Sequence, residues 1–348
     1  MRYKLFGRGT GLRISELALG AGTFGTRWGY GADPADARHM LDAYLDAGGN
    51  FIDTADGYQF GEAEELLGDF LADRRDKVVL ATKFTTSSVA QPPLTGVGNS
   101  RRVMIDAVEA SLKRLRTDRI DLLWVHMPDG VTSTDEIMRG LDDLVRAGKV
   151  VYIGFSDFPA WRVARAATIA ELRGWTPVAG IQIEYSLAER TPDRELLPMA
   201  QALGLGVAGW SPLGGGLLTG KYRRGEAGRA DSFKRLIHSE RDDPRKTATV
   251  DAVLAIADAR GQSPAQISIA WSAARGVVPI LGPRTIDQLA DNLGAADLDL
   301  TAGELSRLDG ASRVPLGFPH ELMAEDAQVV KLAGGVPDKV ERPLIPVA

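Results

Sequence analysis

The chain has 348 residues, with 41 Lys and Arg against 46 Asp and Glu, and contains no cysteine. Disulfides, thiolate chemistry and cysteine-ligated zinc are therefore excluded, and a formal net charge of -5 speaks against a nucleic-acid surface. The make-up, 44% hydrophobic and 25% charged, is that of a soluble globular protein longer than the ~250 residues of a bare (β/α)8 barrel.

The opening segment MRYKLFGRG lacks a signal-peptide apolar stretch, and no run is long enough to span a bilayer. A cytoplasmic enzyme with no membrane or nucleic-acid partner is the expectation. In chain order, YKLFGRGTGLRISELAL reads as a hairpin turning at GTG. Strand and helix then alternate. Leu17–Leu19 is a strand, and the helix after it has a cap at Asp33, Pro34 in first position and a stop at Gly48-Gly49. Ala37, Met40, Leu41, Tyr44 and Leu45 form its apolar stripe.

Phe51-Ile52, Val78–Ala81, Leu122–Val125, Val150–Phe155, Ile181–Ile183, Gly206–Gly209 and Val277–Leu281 continue the strands. The helices between them show as an Ala63–Leu71 segment, a face of Ile105, Val108, Leu112 and Leu115, and a face of Ile137, Leu141, Leu144 and Val145. Trp161–Leu172, Leu196–Leu203, Thr247–Arg260 and Ile286–Leu293 complete the series. Such an alternation implies a parallel sheet with right-handed crossovers, either a closed barrel or an open doubly wound sheet. Eight units without a midpoint linker favour a single (β/α)8 TIM-barrel domain over residues 1–348, with an N-terminal hairpin and long loops at the C-terminal face.

Two motifs mislead. Gly20-Ala21-Gly22-Thr23-Phe24-Gly25 has dinucleotide-binding spacing, but that pattern needs a helix opening at the glycines, and here the helix begins only near Pro34. Gly215 to Lys221 gives GxxxxGK, yet Tyr222 stands where a magnesium-binding Ser or Thr must follow. Nucleotide hydrolysis is rejected, and Lys221 is kept as a cation suited to a phosphate.

Active sites of such barrels lie at the C-terminal strand ends. Asp53, Lys83 and His126 end or follow apolar runs there, and Tyr58 follows Asp53 by five residues. An acid, an amine, an imidazole and a phenol are the parts of a proton-donating site, since a phenol titrating near ~10 needs a neighbouring cation to favour its ionised form. Taken singly, each residue is better explained as part of an ion pair, a rim aromatic or an interior histidine. Four together at one barrel mouth are not.

With these residues in view, the chain resembles the aldo-keto reductases, in particular their bacterial and potassium-channel β-subunit-like branch. FIDTADGY, VVLATK, LLWVHMPD, YIGFSD, IQIEYS, WSPLGGGLLTGKY and LGPRTIDQLADNLGA occur in that family's order over roughly residues 1 to 310. The resemblance implies NADPH-dependent reduction of a ketone, aldehyde or sugar-like carbonyl, without a metal. By motif position Tyr58 is the general acid, Lys83 its cation, Asp53 the partner of Lys83, and His126 a hydrogen-bonding or polarising group.

Ser156, Asp157 and Gln182 match nicotinamide carboxamide positions, and Trp210 matches the stacking aromatic. Asp157 replaces the usual asparagine, so it accepts but cannot donate. Ser211, Leu213 and Gly215 match the pyrophosphate path. Gly282, Arg284, Gln288, Asp291 and Asn292 match the adenosine end, where Asp291 replaces the commoner glutamate. Arg284 and Lys221 are expected near the 2′-phosphate.

Trp28, Phe84, Trp124 and Phe318 are candidate substrate-pocket walls. The stretch from Arg223 to Lys246 reads as a cover for the cofactor or a surface loop, and the tail from Arg313 as a possible substrate loop. A Schiff-base lyase using Lys83 and a cofactor-binding module without turnover are the competing readings.

Overall fold

A computed structural model describes residues 1–225 and 243–341. The first two strands, β1 (Tyr3–Leu5) and β2 (Arg13–Ser15), form an antiparallel hairpin. Eight parallel strands follow: β3 (Ala18–Gly20), β4 (Phe51–Asp53), β5 (Val79–Phe84), β6 (Ile120–Val125), β7 (Val150–Ser156), β8 (Val178–Glu184), β9 (Gly206–Trp210) and β10 (Val278–Leu281). Each pairs with the next, and β10 returns to β3, so the sheet closes into a TIM barrel.

Strand alternation divides the core. Leu122 and Trp124 of β6 point inward to meet Phe51, Ala81, Ala179, Ala208 and Val278. Leu123 and Val125 point outward and pack with Met104, Val108, Ile137 and Leu141 of the surrounding helices. The hairpin plugs the base of the barrel with Phe6, which is 1% exposed. A Cβ on Gly180 or Gly206 would stand 2.5 or 2.6 Å from the Phe6 ring, so glycine at both positions is what admits the plug.

The elements match the sequence expectations with informative exceptions. Strand β5 runs to Phe84, which puts Lys83 inside the barrel wall. Ile105, expected on the apolar face of its helix, is 39% exposed. Among the described residues four helices have no sequence counterpart, Pro264–Ala274, Ala302–Ser312, His320–Ala324 and Asp326–Leu332. Of the stretch 223–246, residues 226–242 lie outside the described residues, as do 342–348 of the tail. Among the described residues no helix is long and apolar enough to cross a membrane.

Candidate active site

Asp53 ends β4, and its backbone lies in register with Ala81 of β5, two residues before Lys83. Both side chains point up the barrel interior. The Lys83 ammonium donates to Asp53 Oδ2 at 2.5 Å and to the Thr54 carbonyl at 2.8 Å. Lys83 is 0% exposed and Asp53 2%. Beyond the end of β4 the backbone keeps pairing with β5: Thr54 N donates to Ala81 O and Asp56 N to Lys83 O, each at 2.9 Å. A turn closed by Tyr58 N on Ala55 O then folds the chain back over the lysine.

That path brings the Tyr58 hydroxyl to 3.2 Å from Lys83 Nζ. His126 completes the group, its ring edge-on to that of Tyr58 with centroids 6.0 Å apart. The four residues singled out from sequence thus converge. Burial works against the Lys83 charge, but Asp53 and Tyr58 outweigh it and hold the ammonium above the ordinary lysine range. Burial, and then the Lys83 charge, push the His126 imidazole down to about 3. The ring is therefore neutral near pH 7, and it donates from one nitrogen only.

The expected cofactor positions lie on neighbouring strand ends. Gln182 of β8 turns inward, its amide nitrogen donating to Asp53 Oδ1 at 2.9 Å. Asp157, just past β7, has φ +56° and accepts from the Trp210 indole at 3.0 Å and from Ser156 Oγ at 3.4 Å. This residue is exposed by area yet ringed by protein atoms, and that desolvation pushes its carboxyl up to about 6. Ser211, Gly214, Gly215 and Gly216 all have positive φ, which turns the backbone sharply after β9, with Leu213 between them. Lys221 folds over Gly216, where a Cβ would sit 2.6 Å from its side chain, and rests 5.2 Å from the Tyr222 ring.

At the other edge, Gly282 has open space beside it and the Arg284 guanidinium lies 5.0 Å from the Tyr30 ring. Gln288 Oε1 accepts from Arg284 N at 2.9 Å. Asn292 is buried on the same helix, and Asp291 is turned aside, its carboxylate accepting from Ser263 Oγ at 2.9 Å.

The expected pocket walls are corrected in part. Trp28 stands edge-on to Tyr58 and to Phe60, at 6.1 and 6.3 Å. Phe84 faces the other way, because strand alternation sends it outward against Met104 and Val108. Trp124 is buried beneath Asp53 and forms floor rather than wall, its indole N–H donating to Asp53 Oδ1 at 3.0 Å. Phe318 is 84% exposed, on a tail segment that does not enclose it.

Other residues around the site have no counterpart among the sequence candidates. Gln59 holds the loop carrying Trp28 against the Tyr58 turn, accepting from Trp28 N at 2.8 Å and donating to Tyr30 O at 2.7 Å. Glu62 accepts from Thr26 N and Arg27 N of the same loop. A buried carboxyl, Asp56, sits between Asp53 and Tyr58, with Oδ1 unpartnered among the described residues. Near it, Glu64 accepts from Thr82 Oγ1 at 2.6 Å and from Arg114 Nε at 2.7 Å. Only the acid-rich spacing DTADGYQFGEAEE hinted at this set.

Residues 16–313 match the aldo/keto reductase family. The chain is 35% identical to norsolorinic acid reductase of Aspergillus flavus, covering 93% of this chain and 84% of that protein. It is 34% identical to a putative aryl-alcohol dehydrogenase of Saccharomyces cerevisiae, over 95% and 92% of the two chains. An uncharacterised oxidoreductase of Bacillus subtilis is 38% identical, over 93% of this chain and the whole of its own.

One consequence of the buried acids is a pH dependence of stability. Burial, and then the charge of Glu64, push the Asp56 carboxyl up to about 7. Its folded-state value lies above the unfolded one, so the contribution is fully present below the unfolded pKa and lost as pH rises through 7. Asp56→Asn should flatten this trend. Wild type is expected to lose roughly 2–4 °C more of its melting temperature than Asp56→Asn between pH 5 and pH 8. Parallel melting curves for the two proteins would show that Asp56 ionises without cost.

Proposed function

Because the chain belongs to the aldo/keto reductase family, we propose that it is an NADP(H)-dependent carbonyl reductase in which Tyr58 is the general acid. The observation that carries this reading is the Tyr58 hydroxyl held 3.2 Å from a fully buried, charged Lys83. When bound, the nicotinamide supplies a hydride to the carbonyl carbon. The chain's own part is the proton. Tyr58 gives its hydroxyl proton to the carbonyl oxygen, and the phenolate left behind is stabilised by the adjacent ammonium. Asp53 keeps that ammonium charged and in place. Neutral His126 donates one N–H toward the same oxygen and orients it. In the reverse direction the Tyr58 phenolate accepts the alcohol proton.

The residues present suit the cofactor. Trp210, its indole fixed by Asp157, offers a flat face at the barrel mouth for the nicotinamide, and Ser156, Asp157 and Gln182 lie at neighbouring strand ends for the carboxamide. The turn through Ser211, Leu213 and Gly215 suits the pyrophosphate. Arg284 and Lys221, with Gln288 and Asn292, would take the 2′-phosphate and adenosine, and the engagement of Asp291 with Ser263 leaves it a lesser part. The aromatic edges of Trp28, Phe60 and Tyr58 favour an aryl aldehyde or ketone, in keeping with an aryl-alcohol dehydrogenase among the relatives. Lys83 does not suit a Schiff-base lyase, since an amine kept protonated by a carboxylate is a poor nucleophile.

Tyr58→Phe tests the acid. Turnover of a panel of aryl aldehydes and ketones, followed at the nicotinamide absorbance band, should fall by about 10²–10⁴-fold, with NADPH affinity unchanged. A loss under tenfold would remove Tyr58 from the role.

Cofactor choice is tested separately. A charge-assisted hydrogen bond to phosphate is worth roughly 1.5–3 kcal/mol, so Arg284→Ala or Lys221→Ala should weaken NADPH binding by about ten- to a hundredfold. NADH, which lacks that phosphate, should be affected far less. If titrations show both variants with the wild-type NADPH-to-NADH affinity ratio, the 2′-phosphate lies elsewhere.

A further inference from the structure

The carboxylate that holds Lys83 is itself held, from below. Asp53 Oδ1 accepts from the Trp124 indole at 3.0 Å and from the Gln182 amide at 2.9 Å, and Oδ2 faces Lys83 at 2.5 Å. Two donors on one oxygen fix the plane of the carboxyl group, so the other oxygen has a single direction in which to point. The lysine meets it there, and from that position reaches Tyr58 at 3.2 Å.

The indole is built to stay where it is. Trp124 is 0% exposed, and the Phe6 plug meets its ring edge-on at 6.0 Å. Gly154 on the adjacent strand makes room for it, because a Cβ there would stand 2.4 Å from the six-membered ring. Backbone register ties the same residues together, with Trp124 paired to Lys83 on one side and to Gly154 on the other. Gln182 is placed at the barrel mouth, where a bound cofactor can compete for its amide. Trp124 lies deeper, within the interior cluster of Phe6, Phe51 and Ala81, and its hydrogen bond is available throughout the reaction.

We propose that Trp124 is a positioning residue for proton transfer, its indole N–H fixing Asp53 so that Lys83 stays on Tyr58. The inference rests on Tyr58 being the general acid. A buried tryptophan N–H needs an acceptor in any case. Trp271, for example, donates to Asp309 at 3.0 Å in a cluster apart from the tetrad. The test must therefore remove the N–H without removing the ring.

Site-specific replacement of Trp124 by 3-benzothienylalanine, a tryptophan isostere with sulfur in place of N–H, does so, and Trp124→Phe is its genetically simple companion. Both are compared with wild type and Tyr58→Phe in aryl-carbonyl reduction. In both Trp124 variants kcat should fall roughly tenfold or more, as expected for losing a hydrogen bond to a charged group, with NADPH affinity within about twofold. The pH dependence of kcat should shift as well. The isostere keeps the ring, so it should melt no lower than Trp124→Phe, and its loss of rate is read apart from loss of packing. Wild-type kcat and pH profile in the isostere, with a defect only in Trp124→Phe, would make Trp124 a packing residue and overturn the proposal. A Tyr58→Phe enzyme that keeps its rate overturns the proposal together with the reading beneath it. Loss in Tyr58→Phe with wild-type behaviour in the isostere overturns the proposal alone.

Discussion

A lysine ammonium and an aspartate carboxylate share the buried interior of the barrel, and the arrangement of the site follows from holding that pair together. Removing two charges from water costs several kcal/mol for each ion, and their attraction recovers this only where geometry is good and the remaining hydrogen-bonding positions are filled. Here they are filled. Lys83 has Asp53, the Thr54 carbonyl and Tyr58, while Asp53 has Lys83, Trp124 and Gln182. Residues from β4, β5, β6 and β8 are committed to one ion pair. The third lysine contact makes a phenol the neighbour of a buried cation.

The base of the barrel bears on its mouth through packing. Phe6 enters from the hairpin, where Gly180 and Gly206 leave it space, and meets both Phe51 and Trp124. Trp124 in turn supports Asp53. Side chains in such a stack are close-packed and have few alternative rotamers, so displacement at one end is felt at the other. On the open side, Gln59 and Glu62 pin the loop of Trp28 to the turn bearing Tyr58. Tyr58 and the Trp28 loop are therefore one mechanical unit.

Much of this was legible from residue order. Short apolar runs located the eight strands and period-3.6 faces most of the helices, and strand-end positions drew Asp53, Lys83 and His126 to one face. What escaped did so for physical reasons. Helix Pro264–Ala274 is buried nearly all round, so it carries no amphipathic stripe, although its Ser263–Gln266 capping box was readable. Helix Ala302–Ser312 announces itself the same way, through Thr301 and Glu304. The sequence offers Phe84 and Trp124 as wall candidates without saying which way either faces. Counting parity from Lys83 and His126 would have turned Phe84 outward and Trp124 inward. The links from Gln182 and Trp124 to Asp53 cross 129 and 71 residues and have no local signature.

Asp53 keeps a wholly buried Lys83 charged. This is open to direct measurement by following lysine side-chain carbon and nitrogen resonances with pH, using Lys83→Met to assign the signal. In wild type the Lys83 signal should remain that of an ammonium up to and beyond the ordinary lysine range, because the pairing with Asp53 outweighs burial. In Asp53→Asn burial is left without its counter-charge, and the signal should titrate well below that range. A Lys83 signal that titrates early in wild type, or one unmoved by Asp53→Asn, would contradict the account.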